Sequence, residues 1–233
     1  MQCSPAYSLY HCGDHAFTAD LGEQIDVETN RSVIRLFDHI QQAKHPSILD
    51  IIPAYSSLTI VYDPLYFVTP NSHPETFFRT IFDAAIQQIT KKKDPEPASV
   101  IRIPVCYHPS LAPDLETLCH QHKIDVDSFI KIHTQQSYRV FMNGFLPGFA
   151  YMGTVDDRIA TARHAAPRKK VAAGSVGIAG HQTGIYPFES PGGWQLIGRT
   201  TVSLFNPDTD NPCLLKPGDE VQFYSIPLEN FHS

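Results

Sequence analysis

The residues best suited to chemistry crowd into the stretch from Asn143 to Thr200. Ten of the chain's 13 glycines lie there, interleaved with Ser175, His181, Gln182, Tyr186, Glu189, Ser190, Trp194 and Arg199. Glycine lets a ligand or a second backbone come close. Functional side chains set between glycines point to a site built on loops that short strands hold in place. His133, His181, Glu189, Asp114 and Tyr186 are the titratable candidates for acid–base work. His181 and Glu189 fall inside the dense segment, which favours a site role for them. His133 ends a predicted helix, where the dipole favours an imidazolium; that placement accounts for it structurally as well as chemically. Backbone N–H groups in the turns from Gly174 to Gly184 are placed to form an anion nest, with Arg168 or Arg199 as fork-shaped donors. Trp194, the sole tryptophan, reads as core more than as a pocket wall, because Leu196 alternates with it.

Three familiar chemistries fit poorly. Gly174-Ser175-Val176-Gly177 partly imitates a nucleophile elbow, but that motif must turn into a helix, and Val-Gly-Ile-Ala-Gly cannot start a stable one. The Ser175 hydroxyl then serves to close a turn. No Gly-x-x-x-x-Gly-Lys-Ser/Thr or strand-flanked Gly-x-Gly-x-x-Gly occurs, so any ATP binds without a P-loop. His11 and His15, or His120 and His122, have no set of neighbours that completes a tetrahedral metal site, and no metal is expected.

The elements that must position these groups divide at Lys91–Ala98, where three lysines give way to Asp-Pro-Glu-Pro. Before this link, strands are expected at Tyr7–Tyr10, Ala16–Leu21, Ile48–Ile52 and Ser57–Tyr62. A helix over Asn30–Lys44 would take Asn30 as N-cap. A second helix, Ser72–Lys92, carries a Ser72/Glu75 capping box and a stripe of Phe78, Ile81, Phe82, Ala85, Ile86 and Ile89 that must cover a sheet. After the link come a strand at Val100–Tyr107 and two short helices, Pro113–His120 and Asp125-capped Val126–His133. Short β segments follow at Tyr138–Met142, Val171, Gly177–Ala179, Gln195–Arg199, Thr201–Phe205 and Glu220–Tyr224. Many short strands joined by Gly-rich connections indicate a barrel. The fold class is therefore a small α+β domain, residues 1–94, followed by a mainly-β barrel domain, residues 98–233.

Composition narrows the partners. A net charge of −6 in 233 residues argues against a nucleic-acid or anionic-membrane surface. No run of about 18 apolar residues is present. Five scattered cysteines without a Cys-x-x-Cys pair fit reduced thiols. A cytoplasmic location is expected.

Specific motifs then place the chain by resemblance. Gly-Phe-Leu-Pro-Gly-Phe-Ala-Tyr-Met-Gly at 144–153, Pro167-Arg168 and the run from Ala173 to Thr200 closely resemble the family called KipI, allophanate hydrolase subunit 1 or the B subunit of 5-oxoprolinase. Ile-Pro-Ala-Tyr-Ser-Ser-Leu-Thr-Ile-Val-Tyr-Asp-Pro at 52–64, Ile-Pro-Val-Cys-Tyr at 103–107 and Ala-Pro-Asp-Leu at 112–115 extend the resemblance over nearly the whole chain. It implies a cyclophilin-like form for the barrel. It also implies two partners: a paired cyclophilin-like protein, the C subunit of 5-oxoprolinase, and a LamB/YcsF-like protein, the A subunit. Together they would open 5-oxo-L-proline to L-glutamate with hydrolysis of ATP, accompanied by Mg2+, and no cofactor would be held tightly by the isolated chain. Phosphorylation of the lactam carbonyl needs anion-stabilising donors, for which Arg168, Gly174, Ser175, Gln182, Thr183 and Arg199 are the candidates. His133, His181, Tyr186 and Glu189 are the matching acid–base or orienting groups. The same resemblance leaves two other roles open: an inhibitor that binds a sensor histidine kinase, and one component of an allophanate- or urea-type amidohydrolase. His108-Pro109-Ser110-Leu111 departs from the Gly-Gly-rich stretch common in the family, and Gly-Thr-Val-Asp at 153–156 replaces a commoner Gly-Gly-Leu-Asp.

Overall fold

A computed structural model describes residues 7–23, 26–68, 73–89 and 100–231. The chain divides into two compact units, Met1–Glu96 and Pro97–Ser233. The expected Lys91–Ala98 link and the Ser72 half of the capping box lie outside the described residues.

The first unit is one antiparallel sheet with two helices packed on it. Strands β1 (Ser8–His11), β2 (Ala16–Asp20), β3 (Ile48–Pro53) and β4 (Ser57–Tyr62) run in the order β1-β2-β4-β3. The period-2 alternation of β4 buries Leu58, Ile60 and Tyr62. Helices α1 (Val27–Ala43) and α2 (Pro74–Ile89) cover that face. The α2 stripe is core as expected, with Phe78, Phe82, Ala85, Ile86 and Ile89 buried.

Helix α1 starts earlier than expected, and Asn30 is not its cap. Asp26 holds that position, its carboxylate accepting from the Thr29 N–H at 2.9 Å. Asn30 lies one turn inside, fully buried, and its amide donates to the carbonyls of Ala54 (3.2 Å) and Tyr55 (3.1 Å). It thus ties the helix to the β3–β4 turn. Asn30→Ala would deprive two part-buried carbonyls of their shared donor and is expected to cost about 1–2 kcal/mol of stability. A shift in the urea midpoint would report it, and an unchanged midpoint would contradict that tie.

The second unit is built on a closed seven-stranded barrel. In chain order its strands are β5 (Ile101–Cys106), β6 (Ser137–Asn143), β7 (Ala150–Gly153), β9 (Ser175–Ala179), β10 (Gln182–Ile185), β12 (Gln195–Arg199) and β13 (Glu220–Ile226), with β8 (Arg168–Val171) and β11 (Ser190–Gly192) forming a separate two-stranded ribbon. Around the barrel the order is β10-β7-β6-β13-β5-β12-β9, closed by β9–β10 pairing. Closure leaves no free strand edge. Helix α3 (Leu115–His122) packs on β12, and α4 (Val126–Thr134) packs on β13. As expected, Asp125 caps α4 through the Ser128 N–H at 2.8 Å.

Three strands, β7, β10 and β11, were not expected from the sequence. Conversely, Thr201–Phe205 does not form a strand and makes only an isolated bridge, Phe205 to Cys213. The Thr200 hydroxyl accepts the Val202 N–H at 3.2 Å and turns the chain away from the sheet. Among the described residues, no helix is long and apolar enough to cross a membrane.

Candidate active site

A cavity of about 470 Å³ opens beside the barrel, between the Gly144–Phe149 loop, the segment Arg163–Pro167, Tyr186 and the Pro191–Trp194 turn. Phe149 is the hub of its aromatic wall. Its ring lies 5.3 Å from that of Trp194, 5.4 Å from Tyr186 and 4.9 Å from Tyr151. Edge-to-face geometry, 88° and 80° for the first two pairs, favours a rigid cage over a collapsible one. Phe145 stands exposed on the rim. The Tyr186 hydroxyl packs on Gly192, where a Cβ would overlap it. Burial raises the phenols of both Tyr186 and Tyr151, so both rings present neutral hydroxyls.

The polar side of the cavity comes from Arg163 and His164. Arg163 is exposed and has no hydrogen-bond or ion-pair partner among the described residues. His164 is held from two directions. Its backbone N–H donates to the Gly193 carbonyl at 2.7 Å, and its ring Nε2 sits 3.3 Å from Asp114 Oδ2. Asp114 lies buried just behind this wall. Its Oδ1 accepts from Arg168 Nη2 at 2.5 Å, and its Oδ2 accepts from the Leu196 N–H at 2.6 Å. By position Asp114 is the N-cap of α3, yet its side chain makes no capping bond. A carboxylate diverted from a helix end toward an arginine, a histidine and a strand N–H marks a place where local preference yields to the site.

The ten candidate residues separate into groups. Tyr186 lines the cavity, and Arg168 reaches its wall through Asp114, with Nη1 also 3.4 Å from the Trp194 carbonyl. Gly174, Ser175 and Arg199 gather where β9 meets β12: Ser175 pairs with Arg199, and Arg199 Nε donates to the Ala173 carbonyl at 2.8 Å. His181, at the β9–β10 turn, is 3.4 Å from both the Val155 carbonyl and Asp157. Glu189 pairs with Lys170 at 2.9 Å on the exposed ribbon. Gln182 and Thr183 belong to β10. Thr183 and His133 meet in the barrel interior, both fully buried, at 3.2 Å.

Several expectations need correction. His133 is not a dipole-stabilised cation: burial drives its pKa from 6.5 to about 3, and the ring stacks on Phe223 at 4.8 Å. The expected anion nest has its donors engaged within the fold. Gly174 N–H goes to the Tyr186 carbonyl, Ser175 N–H to Ala172 and Gly180 N–H to Thr161. Trp194 is a pocket wall, because the Gly192–Gly193 turn swings its indole off the strand alternation toward Phe149. Sequence reasoning weighed Asp114 without assigning it a role, and it passed over Arg163 and His164. The signal available was their position in the polar loop just before Pro167-Arg168, and the Asp of Ala-Pro-Asp-Leu.

The model of the family "Carboxyltransferase domain, subdomain C and D" matches residues 7–215. The chain belongs to that family, and within it to the group of 5-oxoprolinase B subunits. It is 38% identical over 231 residues to the 5-oxoprolinase B subunit of Bacillus subtilis (strain 168), covering 97% of this chain and 96% of that one. The protein of the same name from Escherichia coli O157:H7 is 34% identical, covering 92% and 94%. Among solved structures, TTHA0988 superposes with a TM-score of 0.77 at 32% identity; the match covers 91% of this chain but only 40% of that chain. The urea amidolyase of K. lactis shares the fold, with a TM-score of 0.76 at 22% identity over 98% of this chain and 15% of its own.

Proposed function

We propose that this chain is the B subunit of an ATP-dependent 5-oxoprolinase and that its aromatic cavity contributes the ring-binding half of the site. The observation that carries this reading is end-to-end similarity to two proteins named as B subunits of 5-oxoprolinase. The cavity supports it chemically. A five-membered lactam carboxylate offers a flat apolar ring and an anion; Phe149, Tyr151, Tyr186 and Trp194 match the first, and the unpaired Arg163 matches the second. The nucleotide, with its Mg2+, would be shared with two partners, one a paired cyclophilin-like protein and the other LamB/YcsF-like. Arg199 and Gln182 would be this chain's contribution to that shared site. In this reading the cytoplasm is where the complex works.

The test is co-expression of the chain with the two partner subunits, followed by measurement of 5-oxo-L-proline-dependent ATP hydrolysis and glutamate release. Both activities are expected, and both should vanish when this chain is left out. A soluble, assembled three-protein complex without either activity would overturn the assignment. Urea-type amide chemistry is a second reading, favoured by a 61-residue match at 43% identity to the urea amidolyase of Lachancea kluyveri, which covers 24% of this chain and 3% of that one. Assaying the same complex with urea and allophanate separates the two.

A further inference from the structure

We infer that His164 is the proton-accepting group of the aromatic cavity and that buried Asp114 is the residue that positions it. Asp114 is fixed on all sides. Its N–H donates to the Leu196 carbonyl at 3.1 Å, and its Oδ2 receives the Leu196 N–H. Arg168 occupies its Oδ1 as an ion pair. An ionised carboxylate can only accept hydrogen bonds, so the His164 nitrogen that faces it, Nε2, must carry a proton. The neutral imidazole then has its lone pair on Nδ1. Nδ1 has no partner among the described residues, and His164, about one-third exposed, lines the cavity.

The surrounding charges suit a base. Arg163 and Arg168 are the cations on this side; Arg168 is neutralised by Asp114, and Arg163 is free to meet an anion. Tyr151 and Tyr186, the other titratable groups of the cavity, are kept neutral by burial. Given the lactam reading above, on which the ligand's identity rests, the step is a single proton transfer. Nδ1 forms a bond to the lactam N–H proton as the N–H bond breaks. The electron pair left on nitrogen delocalises to the carbonyl oxygen, making it a better nucleophile toward the phosphoryl group. Asp114 Oδ2 keeps accepting the Nε2–H of the imidazolium while its Oδ1 stays paired with Arg168.

Two measurements test this. In the full chain, ¹⁵N-labelled histidine spectra should show neutral His164 protonated at Nε2, and Asp114→Asn should abolish that preference; a wild-type ring protonated at Nδ1 overturns the proposal. In the active complex, His164→Gln should lower kcat by about 100-fold or more, with KM changed less than about threefold. Asp114→Asn should lower kcat by about 10-fold or more and alter the acid limb of the pH–rate profile, and Asp114→Glu should restore part of both. If Asp114→Asn does not fold, His164→Gln carries the test alone, since its side chain is not core. A wild-type kcat in His164→Gln rejects the proton-accepting role while leaving the oxoprolinase assignment intact. A wild-type complex that lacks activity defeats the assignment, and the tautomer measurement then judges the Asp114–His164 arrangement by itself.

Discussion

Gly174→Ala is expected to destabilise the barrel by at least about 3 kcal/mol, because a left-handed backbone and a backbone collision act together there. Gly174 has φ +79°, and a Cβ would overlap the Thr200 carbonyl oxygen. That oxygen belongs to a peptide chain that cannot step aside cheaply, since the Thr200 N–H donates to the Gly174 carbonyl at 2.9 Å. The Gly174 N–H donates to the Tyr186 carbonyl at 2.7 Å, so the same turn laces the end of β10 to the end of β12. Separating Gly174 from Thr200 therefore moves Tyr186, a wall of the cavity. Gly180 is the internal control. Its φ is +61°, but a Cβ there would meet nothing within 4 Å, so Gly180→Ala should cost only about 1–2 kcal/mol. Urea unfolding of both variants decides the matter: equal midpoint shifts would show that torsional preference alone governs Gly174 and that the Thr200 contact is unimportant.

How far the sequence reveals this molecule depends on whether a residue's role is settled locally. The α2 stripe and the Asp125 cap are local rules, and the structure follows both. Short strands with Gly-rich connections pointed to a closed barrel, which is present. Strands β7 and β10 escaped because their identity lies in their partners. Ala-Tyr-Met-Gly and Gln-Thr-Gly-Ile carry little strand signal, but each is flanked on both sides in the barrel. The candidate site was only half legible for the same reason. Tyr186 and Arg168, expected from the density of motifs around them, are the two candidates that lie at the cavity or its wall. Asp114 acts across 50 residues on His164 and 54 on Arg168, and its helix-cap position disguises that role. Gly174 was expected to touch ligand, yet its N–H and carbonyl are both engaged within the fold. A glycine needed for backbone approach looks the same in sequence whether the approaching chain is a ligand or the protein itself.

The barrel should also lose stability on mild acidification, and His133 is the reason. The ring lies buried among Tyr107, Tyr138, Thr183 and Phe223. Thr183 donates its hydroxyl proton to the Gly177 carbonyl at 3.0 Å, so it accepts from His133 Nε2–H; Nδ1 in turn accepts from the Tyr107 hydroxyl at 2.7 Å. Both ring nitrogens are satisfied in the neutral form, and no carboxylate contacts the ring among the described residues to offset the cost of burying a charge. Burial holds the folded pKa down from 6.5 to about 3. Between these values the unfolded chain binds a proton that the folded chain refuses, so stability is full above pH 6.5 and falls as pH drops toward 3. The expected loss is about 2 kcal/mol at pH 5 and about 3 kcal/mol at pH 4. Asp156, held down to about 2 by Arg158, loses its contribution only at lower pH, and so leaves the window from pH 6.5 to 4.5 to the histidine. Trp194, the only tryptophan, lies in the barrel unit and reports its unfolding by fluorescence. His133→Gln should be less stable at pH 7 but lose less between pH 7 and pH 5 than the parent chain does. A His133 resonance that titrates near pH 6.5 in the folded protein would remove the basis for this expectation, because a ring that charges freely cannot be the neutral centre of that network.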